Sequence, residues 1–249
     1  MKIGIAGYGY VGQAHEAALK DYNTILISDP AKERYDDLRH SDAVIICVST
    51  PMADDGSCDM SNVYKVIEDC PNVPILIKST ISLEGWQLIN RAYPDKDISF
   101  SPEFLRANSA LEDFKNNDTI LLGGKGTAFW CDVFVTAMGK INIKIATAEE
   151  LILTKYFRNS FLAAKVSFFN QIYDLCQATN TDADLVCRLV SDDSRIGPSH
   201  TQVTDERGYG GHCFPKDVNA IIQTAKENNV HLSILEEVDS YNMAIRKTK

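Results

Sequence analysis

The chain has 249 residues, 45% hydrophobic and 24% charged, with 25 Lys and Arg against 34 Asp and Glu for a net charge of −9. This length suits one or two domains and excludes both a stapled mini-protein and a three-domain enzyme. The acidic balance excludes nucleic-acid binding by bulk electrostatics, because a phosphate backbone needs a cationic face.

The first residues enter a strand pattern at once, without the apolar run and cleavage site of a targeting segment. No apolar run is long enough to suggest a membrane span. Seven cysteines without a CxxC pair argue against a disulfide framework or a zinc site and for a reducing compartment. We therefore expect a cytoplasmic protein with no metal.

Taken in order, Lys2–Ala6, Thr24–Ser28, Ala43–Val48, Ile75–Ser79, Ile98–Ser101 and Thr119–Gly123 are short and rich in Ile, Val and Leu. Runs without polar alternation read as strands buried on both faces. Helical patterns fall between them, at Val11–Asp21, Lys32–Leu38, Ser61–Glu68, Leu83–Ala92 and Ala128–Met138. Alternating strand and helix predicts a doubly wound parallel Rossmann sheet, here of six strands, with ligands at their carboxyl ends.

The pattern changes after Ile145. Thr147–Thr179 has no Gly or Pro and reads as one long helix, apolar round much of its circumference and so buried, as between two subunits. Helices at Asp182–Val190, Lys216–Asn228 and Ser233–Lys247 complete an all-helical second domain. We expect domains at 1–146 and 147–249, and a homodimer through the helix over 147–179.

Chemistry is concentrated at the strand ends. Gly7-Tyr8-Gly9-Tyr10-Val11-Gly12 is a GxGxxG between strand and helix. Its glycines permit a tight turn, backbone approach to a pyrophosphate and close helix–strand packing, and the helix N-terminus supplies free N–H groups. Asp29 follows Gly12 by 17 residues and suits a ribose 2′-hydroxyl, which points to NAD. Ser49-Thr50 and Ser79-Thr80 place hydroxyls beside the nicotinamide side, although Ser and Thr there also serve as helix caps. In Ser101-Pro102-Glu103-Phe104-Leu105-Arg106, Glu103 is a candidate general base, or ordinary solvated surface. Lys155 and Asn159 share a helix face at i, i+4 and could hold a developing oxyanion. The alternative is a snorkelling Lys beside an Asn bonded to backbone.

The most specific run is Gly208-Tyr209-Gly210-Gly211-His212-Cys213-Phe214-Pro215-Lys216-Asp217. Cys213 just before a helix N-terminus is placed to act as a nucleophile. Lys216 adds positive charge, and Asp217 is a candidate for activating water. The glycines suggest a substrate pressed against backbone, unless this is a structural cysteine in a Gly turn.

These motifs, with STP, the DGxxDxS core after Asp54, KST, the helix KYFRNSFLAAKVSFFN and DDSRIG, resemble the UDP-glucose/GDP-mannose dehydrogenase family from Met1 to about Lys249. The resemblance implies oxidation of the C6 alcohol of a nucleotide sugar to a carboxylate with two NAD and no release of aldehyde. It makes Cys213 the nucleophile, carrying a thiohemiacetal and then a thioester, and gives Lys155 and Asn159 the oxyanion. Glu103 and Asp217 serve water and proton movement, and Thr80 positions that water. Lys216 contacts the cofactor, while Phe104, Leu105, Arg106 and the loop Gly208–Gly211 contact the substrate.

Three positions depart from the family. Ala107 replaces an acid, Asn117-Asp118-Thr119 lacks an arginine, and His212 precedes the nucleophile. The family also continues into a further domain that closes over the nucleotide. We therefore expect either a truncated form, perhaps completed by a separate chain, or a differently held substrate. Two other functions remain open: a regulatory NAD-binding homologue, and a simpler 3-hydroxyacid dehydrogenase, which leaves the GGHCFPKD run without a reason.

Overall fold

The computed structural model describes residues 1–53, 56–105, 110–116, 118–211 and 213–247, the side chains of 110, 111 and 115 excepted. Arg106, Ala107, Asn117 and His212, singled out above, therefore lie outside the described residues. The chain divides into two units, residues 1–53 with 58–155 and residues 54–57 with 156–249. The boundary expected at Ala146 falls in the connection before the long helix, and the division lies within that helix.

The first unit is a sheet of β1 (Lys2–Ala6), β2 (Thr24–Asp29), β3 (Arg34–Tyr35), β4 (Ala43–Ile46), β5 (Ile75–Ile77), β6 (Ile98–Phe100), β7 (Thr119–Gly124) and β8 (Asn142–Ile145), in the order β3-β2-β1-β4-β5-β6-β7-β8. Its central strands are parallel, with β1 in register from Lys2↔Thr24 on one side and Ile3↔Ala43 on the other. All of β4 and β5 is buried, as expected of strands covered on both faces. Helices α1 (Tyr10–Leu19), α2 (Ser61–Asp69), α3 (Leu83–Ala92), α4 (Ala110–Asn116) and α5 (Thr127–Met138) complete the unit. Ile3, Leu19, Ile45, Leu76, Leu122, Trp130 and Phe134 form its core.

Three differences from the expected pattern have local causes. Lys32–Leu38 is no helix: two short 3-10 turns flank the two-residue strand β3, antiparallel to β2. The stretch KERYDDL has no apolar face to bury, and its Asp36 and Asp37, with Asp29 before it, bond backbone instead. Asp29 accepts from the Ala31 N–H, Asp36 from the Ile27 N–H at 2.8 Å, and Asp37 from the Arg39 N–H, which favours turns over helix. The sheet gains β8 because its half-polar edge sequence, mostly exposed, gives no buried-strand signal. The sheet is also not wholly parallel, since β6 and β7 pair antiparallel.

Helix α6 (Ala148–Ala178) matches the expected long helix within one residue at each end. A capping box opens it: the Thr147 N–H donates to Glu150 Oε2 at 2.8 Å, and the Glu150 N–H to Thr147 Oγ1 at 3.2 Å. The second unit holds most of α6 with α7 (Ala183–Ser191), α8 (Phe214–Glu227) and α9 (Ser233–Ile245). Its core joins Ala163 of α6 to Tyr209, Val218 and Ile222. Helix α6 is not buried all round: Phe161, Phe168 and Leu175, seven residues apart, are 70%, 57% and 66% exposed.

Candidate active site

Each unit carries its own group of site residues. In the first, the glycine loop lies between β1 and α1. Gly7 adopts φ +90°, and a Cβ there would lie 2.6 Å from the Cys47 carbonyl oxygen. A Cβ on Gly12 would lie 2.2 Å from the Gly7 oxygen, whereas around Gly9 nothing lies within 4 Å. One glycine makes the turn, one admits close helix packing, and one leaves an open cradle at the N-terminus of α1. Exposed Tyr10 and half-buried Val11 open that helix.

Asp29 ends β2 beside this loop. Its carboxylate accepts the Tyr8 N–H at 2.7 Å and the Ala31 N–H at 3.1 Å. Opposite it in register stands Arg34, whose guanidinium lies 5.4 Å from the centre of the Tyr8 ring. Sequence spacing missed Arg34 because the expected helix would have carried it elsewhere. An open helix N-terminus, a bare Gly9 and an acid at the end of β2 fit a dinucleotide.

The other strand ends are less uniform. Ser49 is exposed and Thr50 buried. Ser79 donates its hydroxyl to the Val48 oxygen at 2.7 Å, and Ser82, not Thr80, caps α3. Thr80 is half-buried.

Glu103 follows β6 and turns inward. Its carboxylate meets Lys78 Nζ at 3.2 Å and accepts the Phe104 N–H at 2.8 Å. Lys78 also donates to Ser101 Oγ at 2.9 Å and to the Pro102 oxygen at 3.4 Å. Burial, the largest single influence, would raise the Glu103 pKa, but the Lys78 charge and the smaller lowering influences, the Phe104 N–H among them, together outweigh it, and the carboxyl ends below its ordinary value. Lys155 donates to the Glu103 carbonyl oxygen at 2.8 Å and lies 6.0 Å from the centre of the Phe104 ring. Leu105 is half-buried.

Two neutral groups border this pair. His15 is fully buried, its Nδ1 2.9 Å from the Val11 oxygen and its ring 4.9 Å from that of Phe114. Burial, reinforced by Lys78, pushes its pKa down to about 4. Burial likewise pushes the Cys47 thiol up to about 12, so that cysteine is inert. Lys78 and His15 were not singled out from sequence: KST was read for its hydroxyls, and a lone His on a helix carries no signal.

In the second unit, Cys213 is exposed at the N-cap of α8, while the other six cysteines are buried or half-buried. One turn on, Asp217 is completely buried. It accepts from Asn159 Nδ2 at 2.6 Å, and Lys216 Nζ stands 3.1 Å from its Oδ1. The structure thus joins Asn159, Lys216 and Asp217 one turn after the cysteine.

Two glycines of the loop before Cys213 are also needed for close packing. A Cβ on Gly208 would lie 2.2 Å from Asn242 Oδ1, and one on Gly210 would lie 2.3 Å from Arg246. Tyr209 is buried, its hydroxyl donating to Asp239 at 2.9 Å. These residues pack on α9. Gly211 alone, at φ +77°, has nothing within 4 Å of a Cβ position.

Comparison with known proteins gives the family. The NAD binding domain of the UDP-glucose/GDP-mannose dehydrogenase family matches residues 29–131, and that family's central domain matches residues 147–244. The chain belongs to the UDP-glucose/GDP-mannose dehydrogenase family. The matched domain is the family's NAD binding domain, and the cofactor is NAD.

Among members, a UDP-glucose 6-dehydrogenase of Rhizobium meliloti (strain 1021) is 32% identical over 220 residues, covering 81% of this chain and 50% of the relative. One of Rickettsia conorii (strain ATCC VR-613 / Malish 7) is 32% identical over 248 residues, covering 92% and 56%. The structure of a UDP-glucose dehydrogenase from Pyrobaculum islandicum superposes with a TM-score of 0.84 at 26% identity, covering 98% of this chain and 68% of that one. The chain spans about half the length of the curated relatives it matches. Among the described residues, no helix is long and apolar enough to cross a membrane.

Proposed function

We propose that this family member oxidises the C6 alcohol of a nucleotide sugar of the UDP-glucose type to the carboxylate, holding the carbon on Cys213 between two oxidations. The observation that carries this reading is an exposed cysteine at a helix N-terminus, backed one turn on by a buried Asp–Asn–Lys group. An ordinary alcohol dehydrogenase needs no nucleophile, whereas a four-electron oxidation without aldehyde release does.

NAD supplies the two-electron acceptor, needed twice, and would be held by Gly7, Gly9, Tyr10, Val11, Gly12, Asp29, Ser49, Thr50 and Thr80, with Lys216. In our reading, Cys213 Sγ adds to the aldehyde carbon, giving a thiohemiacetal whose oxygen takes a proton, and later carries the acyl group as a thioester. Lys155 and Asn159 stabilise the C6 oxygen as negative charge develops on it. Water positioned by Thr80 opens the thioester, its proton passing towards Asp217, and the Cys213 thiolate leaves. Glu103 is the weaker candidate for that proton, because it is ion-paired with Lys78. Its backbone carbonyl orients Lys155. Phe104, Leu105, Arg106 and Gly208–Gly211 are assigned to the substrate side, with Gly211 the open position.

The exposed row Phe161, Phe168 and Leu175 supports a homodimer packed along α6; sedimentation velocity at micromolar concentration should give a dimer, and a stable monomer would remove this assignment. We further propose domains at 1–146 and 147–249 and a cytoplasmic setting, which suits seven free cysteines. Incubation with NAD and a panel of UDP- and GDP-sugars should form two NADH per sugar consumed. Cys213→Ser should not complete the second oxidation, and full four-electron turnover by that variant would refute the mechanism. NAD binding without turnover of any sugar would favour a regulatory homologue.

A further inference from the structure

The loop that presents Cys213 is held by side chains rather than by secondary structure. Two consecutive N–H groups point into side-chain amides: Gly208 donates to Asn170 Oδ1 at 3.1 Å, and Tyr209 to Asn242 Oδ1 at 2.7 Å. The preceding carbonyls of Arg207 and Gly208 accept from Arg246 Nη1 at 2.7 and 3.3 Å. Arg207 itself, in the left-handed region at φ +57°, donates its Nε to the same Asn170 oxygen at 2.8 Å. Both asparagines are buried, Asn170 to 1% and Asn242 to 6% exposure.

One face of α9, with its C-cap Arg246, supplies most of this grip. Asp239, Asn242 and Arg246 follow at i, i+3 and i+7, taking in turn the Tyr209 hydroxyl, the Tyr209 N–H and the loop carbonyls. A buried amide oxygen that meets a buried N–H is worth little net stability when present, but leaves that N–H unsatisfied when removed. The bond therefore restricts the loop to one conformation, four residues before the nucleophile.

We propose that Asn242 is a positioning residue for Cys213: through the Tyr209 N–H it sets the turn that delivers the thiol to the N-terminus of α8. The proposal rests on the reading of Cys213 as the nucleophile. Asn242 touches no reacting atom and acts through the loop, with Arg246 as the second grip.

The test compares Asn242→Ala, Asn242→Asp and Arg246→Gln in the full chain. Asn242→Asp keeps an acceptor of the same size for the Tyr209 N–H. Iodoacetamide labelling, read peptide by peptide, should be slowed about fivefold or more at Cys213 in Asn242→Ala and remain within about twofold of the parent in Asn242→Asp. With a nucleotide sugar, kcat should fall about tenfold or more in the alanine variant, as misplacing a reacting group implies, while NAD affinity is unchanged. Should Asn242→Ala fail to fold, slowed labelling in the more exposed Arg246→Gln decides the same point. Labelling within about twofold of the parent in the folded variant overturns the proposal. Absence of turnover in the parent would refute the dehydrogenase reading alone, since the labelling ratio still decides whether Asn242 positions the thiol.

Discussion

Two buried carboxylates, each beside a lysine, differ in how completely they are bonded. In the first unit, Lys78 has Ser101 Oγ, the Pro102 oxygen and Glu103 as partners, and Glu103 also takes the Phe104 N–H. In the second, Lys216 Nζ and Asp217 Oδ1 are 3.1 Å apart, yet among the described residues neither makes an aligned hydrogen bond. Only Asp217 Oδ2 has one, from Asn159. A satisfied buried network rigidifies what it touches, whereas an unsatisfied polar atom marks a place where chemistry or a ligand is expected. On this contrast we propose that Glu103 holds a loop and that Asp217 moves a proton.

The largest effect that follows is on turnover. Asp217→Asn should keep the bond to Asn159 and the fold while lowering kcat about a thousandfold, within the range for a general acid or base. NADH formation and a thermal melt check both parts. A variant that melts several degrees lower with turnover intact would make Asp217 the structural member of the two.

The complementary change should act on stability. Lys78→Met leaves the Glu103 carboxylate buried without its cation and should cost about 3–5 kcal/mol in urea denaturation. The double variant Lys78→Met, Glu103→Leu should recover most of this, because apolar replacement of a whole buried pair is often neutral. A single variant as stable as the parent would show that the pair does not hold the loop.

A smaller effect sharpens the electrostatics around Glu103. His15 is neutral in the folded chain, with a pKa near 4, and titrates near 6.5 when unfolded. The unfolded state thus binds the extra proton first. The stability His15 confers is complete above about pH 6.5 and is lost as pH falls towards 4, by about 3 kcal/mol. The lowered Glu103 pKa acts in the same direction lower down, its share being present above about pH 4.3 and lost as pH falls through its folded value. His15→Leu should flatten the stability curve between pH 6.5 and 4, and an unchanged curve would place a charged His15 in the fold.

Much of this was legible in the amino-acid order, and the exceptions share a cause. Strands such as Ala43–Ile46 announce burial by composition, and the long helix by its lack of breakers. GGHCFPKD declares its cysteine by its own spacing. The Lys32–Leu38 stretch misled because its charged residues have helical propensity, while side-chain bonds from Asp29, Asp36 and Asp37 settle its conformation. Asn170 and Asn242 were invisible for a related reason: they reach the loop from 38 and 33 residues away. Partners at that range are set by packing, and no local pattern records them.

In the proposed mechanism the carbon under oxidation is carried by Cys213, with Asp217 assisting its release. Asp217→Asn, mixed with NAD and the sugar nucleotide the parent oxidises, then acid-quenched, tests it most directly. Mass spectrometry of the peptide containing Cys213 should show the sugar nucleotide bound as a thioester, accumulating because its hydrolysis is slowed. An unmodified Cys213 in a variant that still forms two NADH per sugar would contradict the account.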